Sequence, residues 1–194
     1  MNAFDAIARF HTGYDIDAID LIRRCWGDMV NKDPNYTTWE WIGKDGDPDA
    51  AFTSLAHAWS AGASFILSEW VLGVVPLEAG YKSYKIEPHT ASLGWAQGAI
   101  PSPRGEIEVN WKNNPVRFEI ELSAPPGRGP RVSLPRKGEN CKVWLDNELI
   151  FAPDQEIKSD KLEGSSSNRK YLSFELAQGG KHKLIIEKTE EEKK

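Results

Sequence analysis

Along the chain the spacing of apolar positions changes once. Between Asp15 and Lys32, residues Ile16, Ile19, Ile22, Trp26, Met29 and Val30 recur at the three-or-four-residue interval that gathers side chains on one face of an α-helix. Asp15 stands where an N-cap belongs and Pro34 follows the pattern, so the spacing predicts a helix over 15–32. A shorter amphipathic stretch over about 3–10 stops before Gly13 and predicts a first helix, folded back as a hairpin on the second. Residues 31–51 carry no period and are rich in Asp, Gly, Pro and Thr. Helical spacing returns over about 53–71. Leu55, Trp59, Gly62, Ala63, Ile66 and Trp70 share a face there, and Ala58, Ala61, Gly62 and Ala63 are small enough to let a neighbouring helix approach closely.

After "GVVPLEAGYKSYKIEP" the period becomes two. Residues 106–111, 116–122, 131–134, 142–145, 171–176 and 182–186 mostly alternate apolar with polar and are separated by Pro, Gly and Asn. That is the pattern of antiparallel strands with one face on a core and one in water. "GSSSN" over 164–168 reads as a loop and "EKTEEEKK" as a solvated tail. The expected fold is therefore α+β in two modules, helices over 1–76 and a mainly antiparallel β-sandwich over 77–194.

Composition narrows the partners. The 194 residues are 40% hydrophobic and 27% charged with a formal net charge of −5, and their basic residues are scattered, which leaves no electrostatic footprint for nucleic acid or an anionic membrane. No apolar run reaches the roughly 18 to 20 residues of a membrane span, and the first residues lack the basic-then-apolar pattern of a signal peptide, so the chain reads as soluble. Cys25 and Cys141 fall in different modules and read as buried thiols. The helical faces need partners beyond one another. The chain thus reads as the end of something larger, with an apolar patch near Ile16, Ile19 and Trp26 available for self-association.

A series of short motifs changes the picture. Trp26-Gly27-Asp28-Met29, Thr37-Thr38-Trp39-Glu40, Ser54-Leu55-Ala56-His57, Gly73-Val74-Val75-Pro76, Gly80-Tyr81 and Ile86-Glu87-Pro88 appear in that order, followed by "SPRGEIEVNW" and "RVSLP". The series, over about residues 1–135, resembles the C-terminal part of the α-L-rhamnosidases, glycoside hydrolases with an (α/α)6-barrel catalytic domain followed by a C-terminal β-sandwich. The resemblance implies that 1–76 are the last helices of such a barrel and 77–194 the sandwich. It implies that Glu40 is the general base of inverting hydrolysis and that His57 contacts the rhamnose. Ala56 stands where the family usually has Asn, which departs from the pattern beside His57. By the same resemblance the general acid belongs to upstream barrel segments, so this chain alone is expected to be inactive. Its expected partners are rhamnose-containing glycosides or polysaccharides and the missing barrel segments, with no cofactor.

Each residue also has a plainer reading. Glu40 between Trp39 and Trp41 is either a base held in a water-poor pocket, with the indole faces of Trp39 and Trp41 stacking on sugar, or a structural carboxylate. His57 early in a helix is either a sugar contact or a surface residue. Trp26, Trp59 and Trp70 lie on helical stripes and read as core. Asp45, Asp47 and Asp49 alternate like calcium ligands, yet the remaining ligands of a calcium loop are absent. The Asn35-Tyr36-Thr37 sequon reads as chance. Two further functions stay open: a non-catalytic carbohydrate-binding or scaffolding module, which an exposed strip of Trp95, Trp111 and Trp144 would favour, and a polysaccharide lyase on the same fold.

Overall fold

The computed structural model describes residues 2–48 and 53–189. It divides into two compact units, Met1–Leu67 and Ser68–Lys194.

In the first unit, α1 spans Asn2–Thr12 and α2 spans Asp15–Ile22, separated by a turn in which Gly13 takes φ 84°. The second helix runs on through a π-helical turn over Arg23–Gly27 into α3, Asp28–Lys32, so the predicted helix over 15–32 is present but widened in its middle. Ala6, Phe10, Ala18, Ile19, Leu21, Ile22, Trp26 and Met29 form its core. Two expectations change here. Ile19 and Trp26 are buried inside the unit and only Ile16 of the expected patch is exposed, because α1 covers the stripe they lie on. The third helix begins late. Residues 53–57 are irregular, a 3₁₀ turn covers Ala58–Ala61, α4 covers Gly62–Ile66, and a π-helical turn covers Leu67–Val71. The segment before Ala58 instead spends its backbone groups on residues 37–40, as described below. Gly62 shows why small residues stand here: a Cβ on it would lie 2.6 Å from Cβ of Ala3 on α1.

The second unit is a sandwich of two sheets. Val74–Pro76 (β1), Tyr84–Ile86 (β2), Arg131–Pro135 (β6), Tyr171–Leu176 (β10) and Leu162–Ser167 (β9) form a five-stranded sheet in the order β1-β2-β6-β10-β9. Trp95–Ser102 (β3), Gly105–Asn113 (β4), Arg117–Ala124 (β5), Gly180–Lys188 (β11), Cys141–Leu145 (β7) and Glu148–Phe151 (β8) form a six-stranded sheet in the order β3-β4-β5-β11-β7-β8. Every pairing is antiparallel except β2 with β6. Ile107, Val109, Trp111, Phe118, Ile120, Leu122, Val143, Leu145, Leu184 and Ile186 of the six-stranded sheet are buried and lie in the stretches that alternation marks, whereas Ala124, Cys141 and Ile150 are buried outside them. The Trp111 indole donates to the carbonyl of Val71 at 3.0 Å, which satisfies the ring's polar edge inside the core.

The strands that alternation missed lie at edges or are short. "GSSSN" is not a loop: Gly164–Ser167 belong to β9, an outer strand that needs no apolar face because its ladder with β10 supplies the hydrogen bonds. β3 is also an edge, where Gly98 and Pro101 are tolerated. β1, within the stretch expected to be helical, pairs with β2. Between β7 and β8, Asp146 and Asn147 both take positive φ (49° and 68°), the conformation that closes a two-residue hairpin with the twist of its strands.

Candidate functional site

In the first unit, the chain after α3 turns on one buried carboxylate. Asp33 accepts from the Asn35 backbone N–H at 2.7 Å, from the Thr37 hydroxyl at 2.8 Å and from the Trp39 indole N–H at 2.8 Å. These donors, the Trp39 indole foremost, hold its carboxyl below the usual carboxylate range. The arrangement fixes Trp39 inward, where it is 2% exposed, and leaves its neighbours Glu40 and Trp41 facing out.

The segments 37–40 and 54–57 then pair backbone to backbone. The N–H of Glu40 donates to the carbonyl of Ser54 at 2.9 Å and that of His57 to the carbonyl of Thr38 at 2.9 Å, while the Thr37 hydroxyl, whose one proton is shared with Asp33, also stands against the carbonyl of Leu55. Ser60 reinforces the clamp: its hydroxyl reaches the Trp39 carbonyl at 2.5 Å, and its own carbonyl accepts the Trp26 indole N–H at 2.6 Å. Two motifs seventeen residues apart are thereby laid side by side, and Nδ1 of His57 comes to 4.0 Å from Oε2 of Glu40. The gap is too long for a direct hydrogen bond and short enough for both groups to reach one bound hydroxyl.

Both side chains line a cavity of about 540 Å³ whose walls include Trp41, Trp59, Cys25, Met29 and Asn2. Of the residues singled out from sequence, Glu40, His57 and Trp41 meet here. Trp39 does not; it is buried behind them with its indole spent on Asp33, so it positions the backbone of Glu40 rather than offering a face to a ligand. Trp59, read as core, is 71% exposed in the 3₁₀ turn that opens its helical segment, and it forms part of the wall. Cys25 is half-buried rather than buried; burial pushes its thiol up, away from the thiolate, and Nδ2 of Asn2 donates to its sulfur at 3.2 Å. Trp59, Asp33 and Cys25 escaped sequence reasoning. The signal for Asp33 was present: Asp before Pro-Asn at a helix end is the composition of an Asx-turn.

The aspartate-rich loop has another occupant than a metal. The ammonium of Lys32 donates to the carbonyls of Asp45 and Gly46 at 3.2 and 2.8 Å and to Oδ1 of Asp47 at 2.9 Å, so a side-chain cation sits among the oxygens. Asp49 lies outside the described residues. Among the described residues no cluster of three or more His, Cys, Asp or Glu could hold a metal ion, and no helix is long and apolar enough to cross a membrane.

Comparison with known proteins gives this geometry a context. Residues 73–145 match the family model described as the bacterial alpha-L-rhamnosidase C-terminal domain. Among curated proteins, the alpha-L-rhamnosidase of Alteromonas sp. (strain LOR) is 35% identical over 94 residues, 46% of this chain and 10% of that protein. That of Formosa agariphila is 32% identical over 88 residues, 42% of this chain and 9% of that protein. The chain thus spans about a tenth of the length of these relatives. Among solved structures, the α-L-rhamnosidase of Streptomyces avermitilis complexed with L-rhamnose aligns over 91% of this chain and 16% of its own, with TM-score 0.71 and 19% identity. The Dictyoglumus thermophilum α-L-rhamnosidase aligns over 79% of this chain and 16% of its own, with TM-score 0.64 and 24% identity. At these identities the structural likeness establishes the fold.

Proposed function

From the match of residues 73–145 to the α-L-rhamnosidase C-terminal domain model, we propose that the chain is the C-terminal portion of a glycoside hydrolase that removes terminal α-L-rhamnose with inversion, and that it carries the general base but not the general acid. The observation that carries this reading is the pairing of Glu40 with His57, 4.0 Å apart on one cavity wall beside two exposed indoles.

In an inverting glycosidase two carboxyl groups stand roughly 6.5 to 9.5 Å apart; one protonates the departing oxygen while the other removes a proton from a water attacking the opposite face of the ring. Glu40 has the second role. Its carboxylate takes the proton of the attacking water as that oxygen bonds to the anomeric carbon, and the leaving oxygen receives its proton from an acid on barrel segments this chain does not supply. His57 hydrogen-bonds a sugar hydroxyl, and the rings of Trp41 and Trp59 lie against the sugar's C–H faces. The chain on its own should have no rhamnosidase activity, since the acid and most of the pocket that orients the sugar are absent.

The test is to join the chain to an upstream rhamnosidase barrel and assay an aryl α-L-rhamnoside. Glu40→Gln should lower kcat about 10² to 10⁴-fold and leave KM nearly unchanged. His57→Ala should raise KM roughly three- to tenfold, the loss of one hydrogen bond to sugar. Near-normal turnover by Glu40→Gln would assign the carboxylate to structure.

A further inference from the structure

The outer face of the six-stranded sheet carries a second concavity, about 690 Å³, within the range of roughly 300 to 1,000 Å³ typical of small-molecule sites. Its floor is two rows of side chains set by strand register. Gln97, Asn110, Glu121 and Lys183 lie opposite one another across β3, β4, β5 and β11, and Ala99, Glu108, Ser123 and Lys181 form the row beside them. The next row in the other direction runs Trp95, Lys112, Glu119, Ile185 and Trp144. Side chains two residues apart on a strand share a face about 7 Å apart. Trp95, 68% exposed, therefore stands at the edge of the polar floor, while Trp111 is fully buried on the opposite face.

The chemistry of this floor is specific. Three carboxylates (Glu108, Glu121, Asp146) stand against two ammonium groups (Lys181, Lys183), which is close to balance. Some charge is spent internally. Lys183 donates to Glu121 at 2.8 Å; Asp146 accepts the Lys183 backbone N–H at 2.8 Å and lies 2.9 Å from Nδ1 of His182. The side chains of Gln97, Glu108, Asn110, Ser123 and Lys181 have no hydrogen-bond partner among the described residues. A polyanion would meet the carboxylates and a polycation the lysines. A neutral chain dense in hydroxyls would find alternating donors and acceptors below and a flat apolar ring at the margin, the combination that recognises the polar edges and C–H faces of pyranose rings.

We infer that this face is a carbohydrate-binding site separate from the Glu40 cavity, and that its ligand is a neutral oligosaccharide or polysaccharide chain.

The test is native affinity electrophoresis of the full 194-residue chain in gels containing galactomannan, xyloglucan or arabinoxylan, with polygalacturonate as the anionic comparison. At least one neutral polymer should retard the wild type. Trp95→Ala should weaken that affinity about tenfold, and Asn110→Ala should weaken it several-fold, with circular dichroism unchanged. Gln97→Ala, at an exposed edge position, replaces Asn110→Ala if the latter fails to fold. No retardation in any neutral gel, retardation by polygalacturonate alone, or binding that survives both the Trp95 and the floor substitutions overturns the inference.

Discussion

Trp39 and Trp41 flank the same glutamate and have opposite fates. One is 2% and the other 62% exposed, and among the described residues only the first has an acceptor for its indole N–H. Asp33 is that acceptor, and its carboxylate is stabilised by three donors, so its proton affinity in the fold lies below that in the unfolded chain. Such a group adds stability above its unfolded pKa and loses that contribution as pH falls through the lower folded value. Asp33→Asn replaces an acceptor-only group by one that presents N–H to the Thr37 and Trp39 donors, and it should lower the melting temperature at pH 7. The difference from wild type should narrow as pH drops below about 4, the ordinary aspartate value. Thermal melts of both proteins from pH 7 to pH 3 check this; a gap independent of pH would mean the charge of Asp33 contributes nothing.

At the scale of elements, the chain's departures from regular structure are where its work is set up. The third helix yields its first turn so that residues 54–57 can hydrogen-bond residues 37–40, and this exchange brings Glu40 and His57 together. In the sandwich, the turn entering β1 depends on Gly73. It takes φ 88°, and a Cβ there would stand 2.5 Å from the carbonyl carbon of Glu87 and the nitrogen of Pro88. Its own carbonyl accepts the Glu87 N–H at 2.9 Å. Gly73→Ala combines a disfavoured backbone conformation with a clash against main chain that cannot rotate away, and should cost about 2 kcal/mol or more. Urea unfolding followed by tryptophan fluorescence measures it. A cost under about 0.5 kcal/mol would show that the strand β1 can be displaced without consequence to the sheet.

At the scale of the molecule, two compact units each have their own core. The sandwich unit closes its core within itself: Val71, Leu72 and Val74 are buried with the strands, and Trp111 is tied to the Val71 carbonyl. A protein of residues 68–189 should therefore fold alone, with a β-type circular dichroism spectrum and a single cooperative melt. A chain cut at residue 77 instead loses β1 and the acceptor of the Trp111 indole, and should melt lower. Equal melting temperatures for the two truncated proteins would show that the residues before β2 add nothing to the sandwich.

What the sequence determined by itself was whatever a single segment can encode. Alternation marked β4, β5, β6, β7, β10 and β11 because each has one face on the core, and helical spacing marked 15–32 because α1 covers its stripe. The motif order resembles that of the α-L-rhamnosidases, and the resemblance implies a role for Glu40 and another for His57. Tertiary structure decided the rest, since it depended on partners remote in sequence. Ser165 and Ser166 are strand residues only because β10 offers them a ladder, and Trp59 shares a cavity wall with Glu40. Trp95 borders a polar groove only because four strands set their outward side chains in register. Hydrogen-bond partnership and shared faces across strands are relations between segments, and no local pattern records them.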